Sequence, residues 1–346
     1  MEKMKWYSIT DSRDRWRVFS LFLGGRGIGK TYSALDYCIN SGQQMLYIRS
    51  TERQLRLSLS PDRGNPFKKW ASDHDRIIYI RGGEDINDIV EEISAVSENE
   101  QGEAVEETQE KILGYAAALS TFENLRGVDF SQIGIILYDE FIQAQPFRFD
   151  AFRAFLNLYE SVNRNRELTG GEAVRVFFLA NTQELENPIL AGFNLIGSIE
   201  QMQRTGQKRF SRGDIYVELC DSEISRRKET SVLYRNLPAD DTYKREALQN
   251  EFSRNDFSGI GKPRSIREYR PICNIDNIGI MAHKSRREYY LSTSKSNKVP
   301  SFHSKTQRGL FYRHYGCALS DAYASGHLIC DSFLTRSTIL DILNLT

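Results

Sequence analysis

Short apolar runs that end in glycine or polar residues recur along the first half of the chain. Residues 18–23 form one such run and lead into two glycines, which is typical of a buried parallel strand that enters a loop. The segment Lys30–Asn40 contains no proline and is predicted to be a helix that ends near Gly42. Further apolar runs lie at residues 45–48, 77–80, 115–119, 133–138 and 174–180. Because helical patterns separate several of these runs, the sequence predicts an α/β fold with a mostly parallel, wound sheet.

Two stretches differ from this pattern in their charge. Between residues 84 and 110 every charged residue is acidic, which predicts a solvated, mobile surface loop. A surface that repels DNA or docks a basic partner would have the same composition. Basic residues are concentrated between residues 203 and 235, which indicates a boundary near residues 200–230. Beyond it the sequence predicts further strands and a terminal helix, at residues 278–281, 288–291, 327–330 and 335–345.

The whole chain is electrically neutral. Among its 346 residues, 46 lysines and arginines balance 46 aspartates and glutamates. No global field therefore draws the molecule onto nucleic acid, and any such contact depends on local patches. The five cysteines are widely spaced without a Cys-x-x-Cys pair, which favours a reducing compartment. Since no apolar run is as long as a signal peptide or membrane helix requires, we expect a cytosolic protein with no membrane partner.

The first candidate for chemistry is the glycine-rich loop after the first apolar run. It consists of Gly24, Gly25, Arg26, Gly27, Ile28, Gly29, Lys30 and Thr31. In Gly-x-x-x-x-Gly-Lys-Thr the glycines let successive amides point at phosphate oxygens, and the following helix adds its positive end. Lys30 would reach the β- and γ-phosphates of ATP, and the Thr31 hydroxyl would ligate Mg²⁺. A chance glycine turn is the alternative, but the flanking strand and helix favour a P-loop nucleoside triphosphatase.

A P-loop needs further polar groups at the tips of neighbouring strands. The apolar run 133–138 ends in Asp139 and Glu140. Asp139 would hold Mg²⁺ through its waters, and Glu140 would polarise the water that attacks the γ-phosphate. Paired acids could instead start a helix, although their occurrence with a P-loop favours catalysis. A further run ends in Asn181 and Thr182, which would lie near the γ-phosphate as sensors unless they form an ordinary turn.

Three arginines are candidates for contacts between molecules. Arg164 and Arg166 follow a predicted helix at residues 147–162. An exposed guanidinium there could enter the site of a neighbouring subunit and neutralise transition-state charge, or it could be a solvated surface arginine. Arg126 precedes the strand that carries the acids, so it could touch a DNA phosphate backbone or have no partner.

These motifs resemble those of the DNA-packaging ATPases of small tailed bacteriophages of the phi29 type. The matching landmarks are Gly-x-Arg-Gly-Ile-Gly-Lys-[Ser/Thr]-Tyr at residues 24–32, Tyr-x-Arg at 47–49, Asp-Glu-Phe-Ile at 139–142 and Arg-Asn-Arg-Glu at 164–167. They keep the family's order and approximate spacing over residues 15–190. The C-terminal third is similar more loosely.

The resemblance implies an architecture and an assembly. It implies a P-loop ATPase domain of the additional-strand, catalytic-glutamate class at residues 1–197, a linker region at 198–230, and a small α+β, RNase H-like domain at 231–346. It also implies a homopentameric ring that sits transiently on the portal vertex of a procapsid in the host bacterial cytoplasm. Such a ring drives double-stranded DNA inward, in phi29 itself through a structural packaging RNA. By this analogy Arg164 matches a trans-acting arginine finger, with Arg166 as the reserve.

The sequence departs from the family's pattern in places. Glu52 stands where a basic residue is expected, which leaves Arg53 as a secondary candidate for nucleotide sensing. Asp276, Asp321 and Asp331 are too scattered for the two-metal site of a nuclease. We therefore expect a vestigial, non-cleaving C-terminal domain that binds DNA, packaging RNA or the portal.

Three interpretations follow from these residues. The leading one is a ring motor whose loops grip DNA phosphates, with Arg126 and the basic stretch from Arg204 to Arg235 as candidate contacts. A RecA-like helicase or a nuclease-competent large terminase would need strand-separating elements or a carboxylate cluster. A nucleotide-dependent switch or assembly factor would not need Glu140, because a positioned base implies turnover.

Overall fold

The chain divides into two units, each built on its own β-sheet. In the computed structural model the first unit comprises Met1–Ile189 and Gln201–Ser253, and the second comprises Leu190–Glu200 and Arg254–Thr346. The structure describes residues 5–62, 65–83, 85–98, 104–125, 127–143, 149–182, 185, 187–238, 241, 244, 248, 261 and 265–345.

The sheet of the first unit has nine strands within the described residues. In chain order they are β1 (Phe19–Gly24), β2 (Gln44–Arg49), β3 (Ile77–Arg81), β4 (Ile86–Glu98), β5 (Ala104–Ala118), β6 (Ile133–Asp139), β7 (Arg175–Asn181), β8 (Arg209–Arg212) and β9 (Ile215–Cys220). Across the sheet the order is β3-β4-β5-β2-β6-β7-β1-β9-β8. The strands from β5 to β9 in this order run parallel, whereas β3, β4 and β8 pair antiparallel at the edges. The predicted α/β fold with a mostly parallel sheet is confirmed.

The register of the central strands brings their carboxyl ends to one edge of the sheet. Gly24 of β1 is paired with Asn181 of β7, and Leu179 of β7 is paired with Asp139 of β6. β7 therefore lies between the strand that enters the glycine loop and the strand that ends in the acids. Ligands of open α/β sheets bind at this carboxyl edge. The register thus brings the predicted site residues together.

Helices alternate with these strands along the chain. In chain order they are α1 (Lys30–Asn40), α2 (Glu52–Leu59), α3 (Pro66–Asp73), α4 (Ala151–Asn163), α5 (Pro188–Gly192), α6 (Ile196–Thr205), α7 (Glu223–Lys228) and α8 (Val232–Arg235), with short 3₁₀ turns at Ile9–Arg15, Leu119–Leu125 and Arg166–Thr169. Of these helices, α5 and α6 include residues that belong to the second unit. α1 matches its predicted bounds and buries Leu35 and Cys38 in the core that also holds Trp70 of α3. α3 begins where the Asn65 side chain accepts a hydrogen bond from the Phe67 amide at 2.9 Å.

The prediction of a mobile surface loop at residues 84–110 is wrong for the described part of that stretch. β4 and β5 pair along their full length as an antiparallel ribbon, and only its inner half also pairs with β2 and β3. At its base Ile89 and Val90 are buried. Arg76, from outside the stretch, forms an ion pair with Glu91. Buried apolar positions and an arginine supplied by another element therefore stabilise strands that composition alone did not indicate.

The structure also differs from the predicted linker at residues 198–230. β9 pairs in parallel with β1, and β8 pairs antiparallel with β9, so residues 209–220 belong to the sheet of the first unit. Tyr216 and Val217 are buried in β9. The basic residues around this strand indicated a boundary, whereas its apolar side chains extend the core.

The second unit is a mixed α/β structure. Its strands are β10 (Tyr269–Ile275), β11 (Ile278–His283), β12 (Tyr289–Ser292), β13 (Ser301–Phe302) and β14 (Leu328–Cys330), and its further helices are α9 (Ser304–Phe311), α10 (Cys317–Ala324) and α11 (Phe333–Leu343), with a 3₁₀ turn at Ile266–Glu268 and a π segment at Tyr312–Gly316. The sheet order is β13-β10-β11-β12-β14. β10, β11 and β12 are antiparallel, while β13 and β14 run parallel to β10 and β12.

The core of the second unit lies between this sheet and its helices. Phe302 of β13, Phe311 of α9 and Ile339 of α11 are buried together. The strands and the terminal helix predicted in this part of the chain correspond to β11, β12, β14 and α11 and are confirmed. No helix in the described part of the chain is long and apolar enough to span a membrane.

Candidate nucleotide-binding site

The glycine loop connects β1 to α1 at the carboxyl edge of the sheet. Gly27 and Gly29 have φ angles of +62° and +107°, in the region that favours glycine. A Cβ at Gly29 would lie 3.2 Å from the Tyr7 carbonyl oxygen, so a side chain there would also crowd the N-terminal segment. α1 begins directly after Gly29, at Lys30. Its free amides and positive end therefore face the space above the loop, as phosphate binding requires.

The ammonium group of Lys30 lies across this loop. Nζ donates hydrogen bonds to the carbonyl oxygens of Gly24 at 2.9 Å and Gly25 at 2.7 Å, and to Oδ1 of Asn181 at 3.2 Å. Burial lowers the pKa of Lys30 to about 8. The structure thus joins the lysine at the start of α1 to Asn181, the residue predicted as the sensor, at the end of β7.

Asp139 is buried at the end of β6 and receives three hydrogen bonds. Thr31 Oγ1 donates to Oδ1 at 3.0 Å, while the Tyr47 hydroxyl and Arg49 Nη1 donate to Oδ2 at 3.0 and 3.1 Å. Burial raises the pKa of Asp139, although the neighbouring Arg49 opposes that shift. The hydroxyl and the carboxylate predicted to hold magnesium are therefore in direct contact.

Glu140 leaves the strand with a φ of +50°, in the left-handed region. The next amide, that of Phe141, returns to β7 by donating to the Leu179 carbonyl oxygen at 3.2 Å. The Glu140 side chain is 53% exposed, and its Oε2 accepts a hydrogen bond from Arg49 Nη2 at 2.5 Å. Arg49 therefore bridges both predicted acids from a side chain that is only 10% exposed.

A cleft of about 800 Å³ opens above these groups. Its walls come from the glycine loop, the ends of β6 and β7, α2 and the N-terminal segment. The lining residues are Trp6, Arg26, Gly27, Ile28, Gly29, Lys30, Thr31, Tyr32, Gln54, Asp139, Glu140, Ile142, Gln143, Leu179, Ala180 and Asn181. Trp6 is 56% exposed and is packed beside Gly29 at the rim. The cleft thus combines a phosphate-binding wall, a carboxylate wall and two exposed aromatic rings, those of Trp6 and Tyr32.

Sequence reasoning missed four residues of this neighbourhood: Arg49, Trp6, Gln54 and Gln143. Arg49 was noted only as part of a family motif, yet its place at the end of the buried strand β2 gives it access to the same edge as Asp139. Trp6 and Gln54 line the cleft from segments that show no phosphate-binding pattern. A polar residue at the end of an apolar run was the one usable signal.

Four of the residues predicted to bind or sense the nucleotide lie outside the cleft lining: Gly24, Gly25, Thr182 and Arg53. Thr182 is 1% exposed, behind Asn181. Arg53 is an exposed residue of α2 and borders a separate surface depression with Arg56, whereas Gln54 is the α2 residue that faces the cleft. The roles given to Thr182 and Arg53 remain predictions.

The predicted intermolecular arginines lie around the end of α4. Arg164 caps this helix, is 48% exposed, and donates to the Val128 carbonyl oxygen at 2.8 Å. Arg166 donates to the carbonyl oxygens of Phe130 and Ser131 at 3.2 and 2.9 Å. Neither arginine lines the cleft of its own chain.

Two further predictions concern Arg126 and the carboxylates of the second unit. Arg126 lies outside the described residues. Asp276 accepts a hydrogen bond from the Ser304 amide at 3.0 Å, and Asp331 accepts one from Thr335 Oγ1 at 2.6 Å. Within the described ranges, no group of three or more His, Cys, Asp or Glu residues could hold a metal ion.

The loop, the Thr31–Asp139 contact and the adjacent Glu140, all at the carboxyl edge of a parallel sheet, define a P-loop nucleoside triphosphatase. Comparison with known proteins gives the family. The model of the family described as Podovirus DNA encapsidation protein (Gp16) matches residues 81–295, more than half of the chain. The chain belongs to this family, and the resemblance to packaging proteins of the phi29 type is confirmed.

Individual relatives agree over the full length. The DNA packaging proteins of Bacillus phages PZA and phi29 are each 24% identical to the chain over 367 residues, covering 99% of this chain and 98% of theirs. Among solved structures, the bacteriophage Phi-29 viral genome packaging motor assembly is similar with a TM-score of 0.64 and 19% identity, covering 98% of this chain and 99% of that one. The Phi-28 gp11 DNA packaging motor is similar with a TM-score of 0.61 and 18% identity, covering 99% and 98%. These structures share the fold of the chain.

Proposed function

We propose that this protein is the ATP-driven motor of DNA encapsidation, which hydrolyses ATP and moves double-stranded DNA into a procapsid. The observation that carries the proposal is the position of Glu140, directly after Asp139 and across the cleft from the phosphate loop. A carboxylate there can orient and deprotonate the attacking water. The position of β7 between β1 and β6 supports the additional-strand, catalytic-glutamate class. Membership of a DNA encapsidation family supplies the substrate.

ATP and Mg²⁺ fit the residues of the cleft. Thr31 Oγ1 and Asp139 Oδ1 lie 3.0 Å apart and are hard oxygen donors of the kind that Mg²⁺ prefers. We assign both to the magnesium shell, Lys30 to the β- and γ-phosphates, and Asn181 to sensing the γ-phosphate. When bound, magnesium neutralises charge on the transferring phosphoryl group.

In a ring of copies of this chain, Arg164 of one subunit could act on the nucleotide bound by its neighbour. Its guanidinium is half exposed at a helix end and lies outside its own cleft, so a neighbouring subunit's site is where it would meet a phosphate. We assign Arg164 as the arginine finger and keep Arg166, which holds two backbone carbonyls, as the reserve. Mixing Lys30→Ala chains with Arg164→Ala chains tests this. Partial recovery of ATPase activity is expected, because Arg164 of the first chain can complete an intact loop on the second, and no recovery would contradict the shared site.

The remaining partners follow from the same proposal. The ring, pentameric by the family resemblance, works at the portal vertex of a procapsid in the host bacterial cytoplasm, with a packaging RNA as a further partner. Arg126 and the basic stretch from Arg204 to Arg235 are the candidate contacts to DNA phosphates. Binding should then fall steeply with salt and be independent of sequence. Binding that resists salt would refute phosphate contacts.

We assign the C-terminal domain, predicted at residues 231–346, as a vestigial nuclease-like module of the RNase H type. Its mixed sheet with flanking helices supports an α+β module. Asp276 and Asp331 are engaged by hydrogen bonds within the unit, which supports structural roles. Incubating the full chain with DNA and Mn²⁺ tests the assignment: intact DNA is expected, and cleavage would favour a nuclease-competent terminase.

The central experiment replaces Glu140 by glutamine. E140Q keeps the size of the side chain but removes the base, so ATP binding should persist while hydrolysis falls by at least about 100-fold. E160Q on α4 is the matched control, since Glu160 is outside the cleft. ATPase rates should be measured with and without DNA and procapsids. Unchanged hydrolysis in E140Q, or a wild-type rate that ignores both partners, would contradict the motor.

A further inference from the structure

A second lysine lies against the phosphate loop, and it comes from outside the P-loop motif. Lys228 ends α7, and its ammonium group donates a hydrogen bond to the Arg26 carbonyl oxygen. A Cβ at Gly27 would lie only 3.1 Å from Lys228 Nζ. Lys30 and Lys228 thus hold neighbouring carbonyl groups of one loop. Lys228 itself is outside the lining of the cleft, but Arg26 and Gly27 form part of its wall.

The fold accounts for this approach. β9 is paired in register with β1, so that Cys220 lies opposite Gly24 and the chain leaves β9 at the edge where the loop begins. The Ser222 hydroxyl then accepts a hydrogen bond from the Ser225 amide at 3.3 Å, and α7 starts there. Ser222 and Ser225 are both buried. A short, anchored helix therefore presents its last residue, Lys228, to the loop.

The charges of the cleft provide the reason for a second lysine. Arg26, Lys30 and Arg49 carry three positive charges, and Asp139 and Glu140 cancel two of them. A nucleoside triphosphate with one Mg²⁺ brings more negative charge than the one remaining positive charge can balance. Electropositive groups that can balance such charge are what phosphoryl-transfer sites supply. Lys228 stands next to the loop that binds the phosphates, and burial lowers its pKa, which indicates that its ammonium group is partly removed from water.

We propose that Lys228 is a phosphate ligand of this site, which exchanges the Arg26 carbonyl for a β- or γ-phosphate oxygen when a nucleotide enters. The proposal rests on the proposed function, because it adds a group to the same ATP site.

Nucleotide affinities of the full chain test the proposal. The dissociation constants of ATP, ADP and AMP are measured by titration calorimetry, with Mg²⁺ and without DNA. In K228Q the affinities for ATP and ADP should fall about tenfold, which is about 1.4 kcal/mol, while that for AMP changes less than about twofold. K228R should keep most of the affinity because it preserves the charge.

Controls separate a phosphate contact from damage to the chain around α7. K244Q removes a lysine that follows α7 in the chain and whose Nζ lies 3.6 Å from Oε1 of Glu229, and it should bind all three nucleotides as the wild type does. Equal losses for ATP and AMP in K228Q, or no loss at all, would overturn the proposal. K30A reports on the proposed function independently. If K30A abolishes ATP binding and K228Q binds like the wild type, only the role of Lys228 fails; if K30A leaves ATP binding intact, the ATP site itself fails.

Discussion

Replacing Arg49 by alanine should destabilise the first unit and stop ATP hydrolysis. The side chains of Arg49 and Asp139 are 10% and 7% exposed and lie 3.1 Å apart. R49A leaves the Asp139 charge buried without its ion-pair partner, a change that costs about 3–5 kcal/mol. Glu140 is 53% exposed, so water replaces most of its contact with Arg49. We therefore expect the free energy of unfolding to fall by about 3 kcal/mol, the lower limit of that range. For a unit of this size this corresponds to a decrease of about 6–12 °C in melting temperature.

The pH dependence of this loss follows from Asp139. Burial already raises its pKa, and Arg49 is the group that opposes the rise most, so in R49A the pKa of the folded state rises further. A carboxyl with a raised folded pKa binds more protons when folded than when unfolded. The destabilisation is therefore complete above the folded pKa and is relieved as the pH falls through it. Urea unfolding should show the free energy of unfolding of R49A approaching that of the wild type as the pH falls from neutrality through the raised pKa of folded Asp139.

A surface arginine with two acidic partners provides the control. Arg81 lies 2.8 Å from oxygens of both Asp88 and Glu110, but its side chain is 45% exposed. R81A should cost less than about 1 kcal/mol. If R49A were as stable as R81A, or if its destabilisation did not shrink at low pH, Arg49 would not be the group that compensates the buried Asp139.

Three further predictions concern the cleft. Trp6 is exposed at the rim of the cleft, while the other two tryptophans are buried. ATP should therefore change the tryptophan fluorescence of the protein, and W6F should abolish most of that change. A fluorescence change in W6F as large as in the wild type would mean that the adenine ring binds away from Trp6. Lys30 has a pKa of about 8 and binds phosphate only when it is protonated. The affinity for ATP should therefore be constant below this pKa and fall about tenfold per pH unit well above pH 8. An affinity that stays constant up to about pH 10 would refute this role of Lys30. G29A should weaken ATP binding at least about tenfold, because the φ of Gly29 is +107° and a Cβ there meets close neighbours. G42A is the control: the φ of Gly42 is +75° but the space around it is open, so this variant should lose some stability and keep the wild-type affinity for ATP. Equal ATP affinities in the two variants would contradict the role of the loop.

The residues of the phosphate loop could be predicted because each carries a local signal. The apolar run of β1, the glycines and the start of α1 at Lys30 depend on neighbours in sequence, and the structure follows them closely. Asp139 and Asn181 were found for the same reason, since both end buried strands. Sequence reasoning also predicted correctly that these residues lie at the same edge of the sheet as the phosphate loop, because the carboxyl ends of parallel strands share one edge.

The errors came from elements stabilised by distant residues. The ribbon of β4 and β5 depends on Arg76 and on pairing with β2, neither of which the composition of residues 84–110 contains. β9 joins the sheet through β1, nearly 200 positions earlier. The bridge from Arg49 to Asp139 and Glu140 likewise joins residues about 90 positions apart. Secondary-structure propensities and runs of charged residues depend on neighbours in sequence, so they cannot predict pairings between distant residues.

The parallel pairing of β9 with β1 has a mechanical consequence. A load applied along β9 from the chain that follows Cys220 pulls this strand lengthwise against β1, so the hydrogen bonds between the two strands share the load in shear. On its other side β9 pairs only with β8, which is the edge strand of the sheet and has no further strand to pass a load to. Tension on the downstream chain therefore reaches, through one shared ladder, the strand that leads into the phosphate loop. In a machine that works against resistance, a force that arrives through the chain after Cys220 would therefore be felt by the strand that leads into the nucleotide loop.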